Sequence, residues 1–451
     1  MAKMPLSNRI VIGYGLPGLV TAIPIIPIAI LLPSYYALDL GLGFFLTGIA
    51  LGGARLIDFS SDIIIGILVD RFRWTRPSSN TLQFKPWLIL GGGLAALGLY
   101  QLAHPSYANT QFGGAIYLAL WSNVLFLGWT IIMVPYTAWG AMLSDDHHER
   151  SKLAVARESA GIVGMLIALT APGLFPDTHF SPLALLCWLT IGLGIPIMVF
   201  ALLTVPETTS SNERSPVIET KFSDIVELLR FPPYRFTVTA WFINGLANGV
   251  PAVLFPIVVQ QYLSLEETSL FALLFIYFGA GILAAPVWVA LAKRWGKINT
   301  WQIAICMNIL VFATVLLIDP TSTGFFSPTL FYWICAFSGA SLSADMALPA
   351  SIQADVMEAD RRQNGKIRTA TAFALWSMAT KLALAVAIAV GFISLGLSGG
   401  GLGDSTQAST PAPTLVLLSL YVCLPVTLKS IVLYMLGKFP HNELVATGGL
   451  S

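Results

Sequence analysis

Residues 43–73, GFFLTGIALGGARLIDFSSDIIIGILVDRFR, give the strongest indication of the fold. Its apolar run, 43–69, is longer than the roughly 20 residues that an α-helix needs to cross a bilayer. Arg55, Asp58 and Asp62 nevertheless lie inside the run. An ionisable side chain at the centre of a membrane helix costs at least about 2.5 kcal/mol, so it is expected to face a cavity and a partner. The stretch therefore predicts a spanning helix with a functional charge cluster.

The composition of the whole chain agrees with a membrane protein. The 451 residues include 24 Lys or Arg and 23 Asp or Glu, together 10%, whereas 56% are hydrophobic. Soluble domains contain about 25% charged residues. The net charge of +1 excludes a nucleic-acid binder, which would show a basic excess. The four cysteines lie in apolar runs, which favours buried packing over a disulfide framework or a metal site.

Twelve apolar runs follow one another along the chain, and each is long enough to span a bilayer. They lie at 10–33, 43–69, 86–103, 112–143, 155–172, 182–204, 235–260, 269–292, 299–318, 328–352, 369–397 and 413–436. Four prolines break the first run, as in transporter helices whose backbone lines a cavity.

Basic residues alternate between the two sides of the predicted spans. Six connections contain no Lys or Arg, and these are 34–43, 101–112, 173–182, 261–269, 319–328 and 398–413. The opposite side holds 21 of the 24 basic residues. By the positive-inside rule, both termini are cytoplasmic in a multi-pass protein of the inner or plasma membrane.

The longest polar stretch, 206–234, divides the chain into six-helix bundles at 1–205 and 235–451. This cytoplasmic linker begins with a flexible segment and continues with a short amphipathic helix. GILVDRFR (66–73), after the second span, is echoed by LAKRWGK (291–297), after the eighth. Such an echo indicates a parallel repeat of two bundles. The predicted fold is an all-α membrane protein with twelve transmembrane helices in two six-helix bundles.

Asp58 and Asp62 share one helix face, and Arg55 lies one turn before Asp58. Two carboxylates about 6 Å apart cannot both stay ionised in a dry site without a cation or a basic partner. The pair therefore predicts a site for Na⁺ or H⁺, to which Ser61 adds a hydroxyl ligand. The alternative is a structural ion pair of Arg55 with an aspartate, plus a hydrogen-bonded acid.

Three further ionisable residues lie inside predicted spans. Lys381, in the middle of the eleventh span, has no charged neighbour in sequence closer than thirteen residues. We expect it to pair with Asp58 and Asp62. Lys429 lies near the end of the twelfth span, where its long side chain is expected to snorkel to the interface. Asp345 is either a second proton or substrate group, or a hydrogen-bonded residue at a helix kink.

The second span ends in a G-x-x-x-D-R motif of Gly66, Asp70 and Arg71. A carboxylate there can cap a neighbouring helix or pair with basic residues on the cytoplasmic face, which predicts a gating element. Candidate aromatic residues of a substrate cavity are Trp129, Trp139 and Trp376. Interfacial anchoring and core packing are equally open for each of them.

Several stretches resemble the glycoside–pentoside–hexuronide:cation symporters, a melibiose permease-like family of the major facilitator superfamily. They are ARLIDFSSDIIIGILVDRFRW at 54–74, FKPWLIL at 84–90, YTAWGAMLSDDHHERSKLAVAR at 136–157 and ADVMEADRRQNGKIRTATAFALWSMATKL at 354–382. The resemblance implies the major facilitator fold and cation-coupled symport of a small organic solute, such as a sugar or glycoside, by alternating access. No cofactor is implied beyond the coupling Na⁺ or H⁺.

The resemblance also implies roles for individual residues. It assigns the cation site to Asp58, Asp62, Ser61 and Thr130, and the coupling charges to Arg55 and Lys381. It adds Arg157, which loosely matches a basic residue at the start of helix five, to the substrate-binding candidates Trp129, Asp345 and Trp376 that the residues themselves indicate. Galactoside carriers of the family have an aspartate on helix one and another before the helix-four proline, where this chain has Gly18–Thr21 and Met133.

Two other functions fit the same fold. One is transport of a lipid or lysolipid, because a cavity without the two sugar-binding acids is compatible with an amphiphile. The other is a transport-inactive membrane sensor or assembly partner. An enzyme is not expected, since no GxSxG, HExxH, P-loop or dinucleotide motif occurs in a suitable setting. The expected partners are a solute, a coupling cation and the bilayer; we expect a monomer that binds no nucleic acid.

Overall fold

The computed structural model describes residues 6–71, 74–75, 81–82, 84–106, 110–144, 146–175, 181–207, 222–322, 324, 326–364, 369–399 and 413–440. Nearly all of these residues are helical. The strands among them are β1 (Trp74–Thr75) and β2 (Thr81–Leu82), an antiparallel pair that joins Trp74 to Leu82 and Thr75 to Thr81.

Contacts divide the chain into two compact units. The first consists of Met1–Ser215 with Gly403–Ser409, and the second of Pro216–Leu402 with Thr410–Ser451. The long helices of the first unit are α1 (Asn8–Asp39), α2 (Phe44–Arg71), α3 (Lys85–Ala103), α4 (Gln111–Met142), α5 (His147–Leu174) and α6 (Pro182–Thr204).

The second unit begins with a short helix and continues with six long ones. They are α7 (Phe222–Arg230), then α8 (Pro232–Tyr262), α9 (Glu267–Trp295), α10 (Lys297–Leu317), α11 (Leu330–Asn364), α12 (Thr369–Ser398) and α13 (Thr414–Gly437). The short helix α7 lies in the segment where the sequence predicts an amphipathic helix, and Leu228 on it is fully buried.

Ten of the described helices are long and apolar enough to cross a membrane by length and composition. The two long helices outside that set are α2 and α11, which carry the buried residues Asp58 and Asp345. Their charges lower the mean hydropathy without shortening the helices. The protein therefore has the expected all-α membrane fold of twelve transmembrane helices, six in each bundle.

Helix α1 extends beyond the predicted end of the first span at residue 33. Two of its segments, Pro27–Leu31 and Tyr35–Asp39, have π-helical hydrogen bonding. The backbone then continues with bonds from Leu40 N to Tyr35 O, 3.0 Å, and from Leu42 N to Tyr36 O, 3.0 Å. The sequence predicts that a connection begins at residue 34, and this prediction is wrong for residues 34–39. Those residues continue the helix through widened turns.

The second unit repeats this ending of the first helix. In α8 the last turn, Val258–Tyr262, is also π-helical, and Leu263 N donates to Val258 O at 2.9 Å. Gly41 in the first unit and Ser264 in the second have φ angles of 65° and 54°. Each lies three residues before the next helix begins. The parallel repeat indicated by the sequence thus extends to backbone conformation.

Replacement of Ser264 by glycine is expected to stabilise the second unit. A residue with a Cβ atom in the left-handed region costs about 1 kcal/mol, whereas glycine adopts it freely. Ser264→Gly should therefore raise the free energy of unfolding by about 0.5–1 kcal/mol, measured by thermal unfolding in detergent. The reverse change, Gly41→Ser, should lower it by a similar amount. A destabilised Ser264→Gly variant would contradict this account of the turn.

Helices α3 and α4 pack with their backbones in close contact. A Cβ atom on Gly91 would lie 2.8 Å from Gly128 O, and one on Gly98 would lie 2.8 Å from Leu125 N. Small residues allow this approach, which stabilises helix pairs in a membrane through van der Waals contact. The close approach fixes α4, the helix that carries Thr130, against α3.

Candidate cation-binding site

The charged turn of α2 is held inside the first unit. Asp58 is only 6% exposed, and its Oδ2 lies 3.7 Å from Arg55 Nη1. The Arg55 guanidinium also lies 3.7 Å from the ring centroid of Phe126. Its Nε is buried and has no hydrogen-bond partner among the described residues. At 3.7 Å the pair is an electrostatic contact and not a hydrogen bond, so Arg55 offsets the charge of Asp58 without occupying its oxygens.

Helix α4 brings a hydroxyl between the two acids. Thr130 Oγ1 lies 3.3 Å from Asp58 Oδ1 and 3.2 Å from Asp62 Oδ1. Ser61 Oγ lies 3.1 Å from Asp58 Oδ1 and 3.3 Å from Thr130 Oγ1. The four side chains that the sequence and the resemblance predict as cation ligands therefore meet. We call Asp58, Ser61, Asp62 and Thr130 the oxygen cluster.

The oxygen cluster presents two carboxylates and two hydroxyls from α2 and α4. Oxygen donors of this kind suit hard cations, and a carboxylate can alternatively take up a proton. No group of three or more His, Cys, Asp or Glu side chains is arranged to hold a metal ion in the described part of the chain. The residues that are present are oxygen donors of the kind that fit a small hard cation such as Na⁺.

The second unit contains a buried ion pair that the sequence does not predict. Lys429 is 2% exposed, and its Nζ lies 2.8 Å from Asp345 Oδ2 and 3.1 Å from Asn244 Oδ1. Trp301 Nε1 donates to Asp345 Oδ1 at 2.7 Å, and Asn248 Nδ2 donates to Oδ2 at 3.2 Å. The expectation that Lys429 snorkels to the interface is wrong, because its side chain turns inward to a buried carboxylate. Both oxygens of Asp345 accept protein donors.

Lys381 and Trp376 lie on α12, where aromatic packing fixes the adjacent residues. Trp376 stacks on Trp241 of α8 with a centroid distance of 4.6 Å and an interplanar angle of 14°. Trp241 Nε1 donates to Thr380 Oγ1 at 2.7 Å, and Thr380 directly precedes Lys381. Lys381 belongs to the second unit and Asp58 to the first, so their pairing stays a prediction.

The other candidate residues of the first unit make contacts of their own. Arg157 Nη2 is 2.7 Å from Glu158 Oε1. Trp139 is 1% exposed and donates to Pro206 O at 3.0 Å, which makes it a core residue. Trp129 lines a cavity of about 380 Å³ between helices.

The G-x-x-x-D-R motif is described only in part. Helix α2 includes Gly66 and ends at Arg71. A Cβ atom on Gly66 would meet nothing within 4 Å. The gating role predicted for Asp70 and Arg71 depends on side chains that lie outside the described residues.

Removal of the Thr130 hydroxyl should weaken cation binding. Valine keeps the shape of threonine but cannot coordinate a cation or donate to the two carboxylates. We expect Thr130→Val to weaken cation affinity by about tenfold, equivalent to about 1.4 kcal/mol. The measurement is the cation concentration that gives half of the maximal thermal stabilisation.

Thr137→Val is the matched control, because the Thr137 hydroxyl bonds only to its own helix, at Met133 O (2.9 Å) and Val134 O (3.0 Å). Equal affinities in the two variants would remove Thr130 from the site.

Comparison with known proteins assigns the chain to a family. The family model described as MFS/sugar transport protein, where MFS denotes the major facilitator superfamily, matches residues 13–443. The chain belongs to this family. The resemblance to the cation symporters of the superfamily is thereby confirmed.

Relatives in this family are distant but similar along nearly their whole length. The chain is 23% identical over 438 residues to the inner membrane symporter YicJ of Escherichia coli (strain K12), covering 94% of this chain and 90% of YicJ. It is 23% identical over 446 residues to sodium-dependent lysophosphatidylcholine symporter 1-B of Danio rerio, covering 90% and 82%.

A solved structure shares the fold. The structure of a mutant of the nucleoside transporter NupG matches 96% of this chain and 100% of its own, with a TM-score of 0.70 and 12% identity.

As a member of the MFS/sugar transport family, the protein is a multi-pass membrane protein and a secondary transporter, not an enzyme.

Proposed function

We propose that the protein couples the entry of a monovalent cation, Na⁺ or H⁺, to the symport of a small organic solute by alternating access. The observation that supports this proposal is the oxygen cluster, in which two membrane carboxylates share the Thr130 hydroxyl at 3.2 and 3.3 Å. Carboxylates at membrane depth are expensive, so such a pair is rarely retained for packing alone.

The mechanism follows from the charges of the oxygen cluster. A bound monovalent cation, together with Arg55, offsets the two negative charges of Asp58 and Asp62 and so weakens their attraction for Lys381, the partner that the sequence predicts for them. The outward and inward states then differ in cation affinity, and only such a difference lets the gradient shift the equilibrium between them. We place both termini in the cytoplasm, as the positive-inside rule predicts.

A sugar or glycoside is the first candidate for the solute. The description of the matching family as MFS/sugar transport supports this class. Trp241, which stacks on the buried Trp376, is partly exposed and provides an aromatic surface of the type that sugar rings contact.

A lysolipid is the second candidate. At the helix-one position where galactoside carriers have an acid, Thr21 Oγ1 lies 3.1 Å from both Pro17 O and Gly18 O of its own helix. That hydroxyl is therefore satisfied by the backbone and does not replace a sugar-binding carboxylate. The fish relative named as a lysophosphatidylcholine symporter supports the same candidate.

The test uses purified protein in proteoliposomes with an imposed Na⁺ or H⁺ gradient. Candidate glycosides, uronides and lysolipids are first ranked by thermal shift with and without Na⁺ at two pH values. Uphill uptake of one class that requires one of the two gradients supports the proposal and identifies the ion. Solute flux that is independent of both gradients contradicts cation coupling.

A further inference from the structure

The cavity beside Trp129 is separate from the oxygen cluster and has an unusual lining. It lies within the first unit, between α1, α3, α4 and α6, and has a volume of about 380 Å³. Its walls include Val20 of α1, Leu99 of α3, Trp129 of α4 and Met198 of α6. We call it the lateral cavity. Its volume lies within the range of small-molecule sites in proteins.

The two threonine hydroxyls on the walls of the lateral cavity do not point to a polar ligand. Thr21 Oγ1 donates to the backbone of its own helix, as described above. The other hydroxyl on the wall, Thr190 Oγ1, donates to Leu186 O at 2.7 Å. A sugar or a water molecule needs several hydrogen-bond partners in a buried site, and these hydroxyls are already bonded. The lining therefore favours hydrocarbon.

The rim of the lateral cavity faces the bilayer. Ile89 of α3, together with Ile195 and Val199 of α6, is 61%, 63% and 49% exposed, respectively. Apolar side chains exposed on membrane-spanning helices contact lipid chains, so the cavity is continuous with the hydrocarbon layer. An occupant can enter sideways without crossing a polar surface.

Two glycines on the α3 wall of the lateral cavity leave room where side chains would otherwise project into it. A Cβ atom on Gly92 or Gly93 would meet nothing within 4 Å, unlike Gly91 and Gly98, which are needed for contact with α4. A helix interior favours alanine over glycine by up to about 1 kcal/mol. Gly92 and Gly93, which line the cavity, therefore leave open space along its α3 wall.

We propose that the lateral cavity binds one acyl chain of a bilayer phospholipid, which packs against Trp129 and the Gly92–Gly93 wall. This site goes beyond the proposed symport and does not depend on it. The apolar lining fixes the chemistry as hydrocarbon, and the bilayer-facing rim fixes the source as a membrane lipid. The bound acyl chain packs against the segment of α4 that also carries Thr130 of the oxygen cluster.

The experiment uses the full-length protein in nanodiscs doped with a phosphatidylcholine that carries a photoreactive diazirine in the middle of one acyl chain. After irradiation, adducts are located by peptide mass spectrometry. We expect adducts to concentrate on the lining residues Ala96 and Trp129. Adducts no more frequent there than at Leu283, an 80% exposed residue of the second unit, would overturn the proposal.

A matched pair of glycine variants tests the occupied space directly. Gly93→Leu should lower labelling of the lateral cavity by about tenfold, the factor expected when its side chain displaces roughly two methylenes. Gly192→Leu is the control, because Gly192 on α6 also has open space at its Cβ position but is not on the lining. Equal labelling of Gly93→Leu and the unmodified protein would overturn the proposal, and the labelling map of the unmodified protein decides it if that variant misfolds.

A transport-deficient variant separates this proposal from the proposed function. Labelling should persist in Asp58→Asn, since a resident phospholipid does not depend on the coupling cation. Loss of labelling in that variant would show that occupancy of the lateral cavity depends on the cation site, and the resident-lipid site would then be rejected. If the transport assays show no cation coupling, the labelling expected for the lateral cavity stays the same.

Discussion

Asp58→Asn is expected to abolish cation-driven accumulation of the solute. Asparagine has nearly the same shape as aspartate but no charge, so the oxygen cluster can no longer neutralise a bound cation or take up a proton at this position. The internal solute concentration in proteoliposomes should then level off at the external value, whatever gradient is imposed. Exchange of solute down its own gradient should continue.

Asp319→Asn is the control with the same chemical change. Asp319 lies in the connection after α10, and its Oδ1 accepts hydrogen bonds from the amide and hydroxyl of Thr321. This variant should accumulate solute like the unmodified protein. Size-exclusion profiles and thermal unfolding confirm that both variants are folded. Undiminished uphill uptake in Asp58→Asn would refute the assignment of the cation site.

Lys429→Met is expected to give a large loss of stability. It removes the positive partner of Asp345 and leaves a carboxylate that is only 4% exposed. Breaking a buried ion pair by removing one partner costs about 3–5 kcal/mol, because the other charge stays uncompensated. The measurement is the free energy of unfolding of the purified protein in mixed micelles.

The double variant Lys429→Met/Asp345→Leu tests the cause of that loss. Replacement of both charges by apolar side chains removes the uncompensated charge, so most of the lost stability should return. Lys438→Met, at an exposed residue directly after the same helix, is the control and should change stability by less than about 0.5 kcal/mol. A double variant less stable than Lys429→Met would contradict the pairing.

The features that could be predicted from the sequence are the local ones. The lengths of the apolar runs, and the alternation of connections with and without basic residues, predict the twelve helices. The spacing of Arg55, Asp58 and Asp62 places them on one helix turn, so their proximity follows from helix geometry. Thr130 is different, since it lies 72 residues from Asp58 and was predicted only through the family resemblance.

The features that could not be predicted depend on contacts between distant helices. Lys429 and Asp345 are 84 residues apart, and nothing in the composition of either span indicates that they meet. The lateral cavity requires four helices to come together. The extension of α1 to Asp39 comes from a change in hydrogen-bond pattern, which leaves no signature in hydropathy.

The position of Thr130 has a thermodynamic consequence. Its hydroxyl carries one hydrogen but has two acceptors at nearly equal distances, Asp58 Oδ1 at 3.3 Å and Asp62 Oδ1 at 3.2 Å. The hydrogen can therefore turn to either of two carboxylates. A coordinated ion would select the single orientation that turns a lone pair toward it. Ion binding should therefore lose rotational entropy at this residue and carry a compensating favourable enthalpy, which calorimetry can compare between the unmodified protein and Thr130→Val.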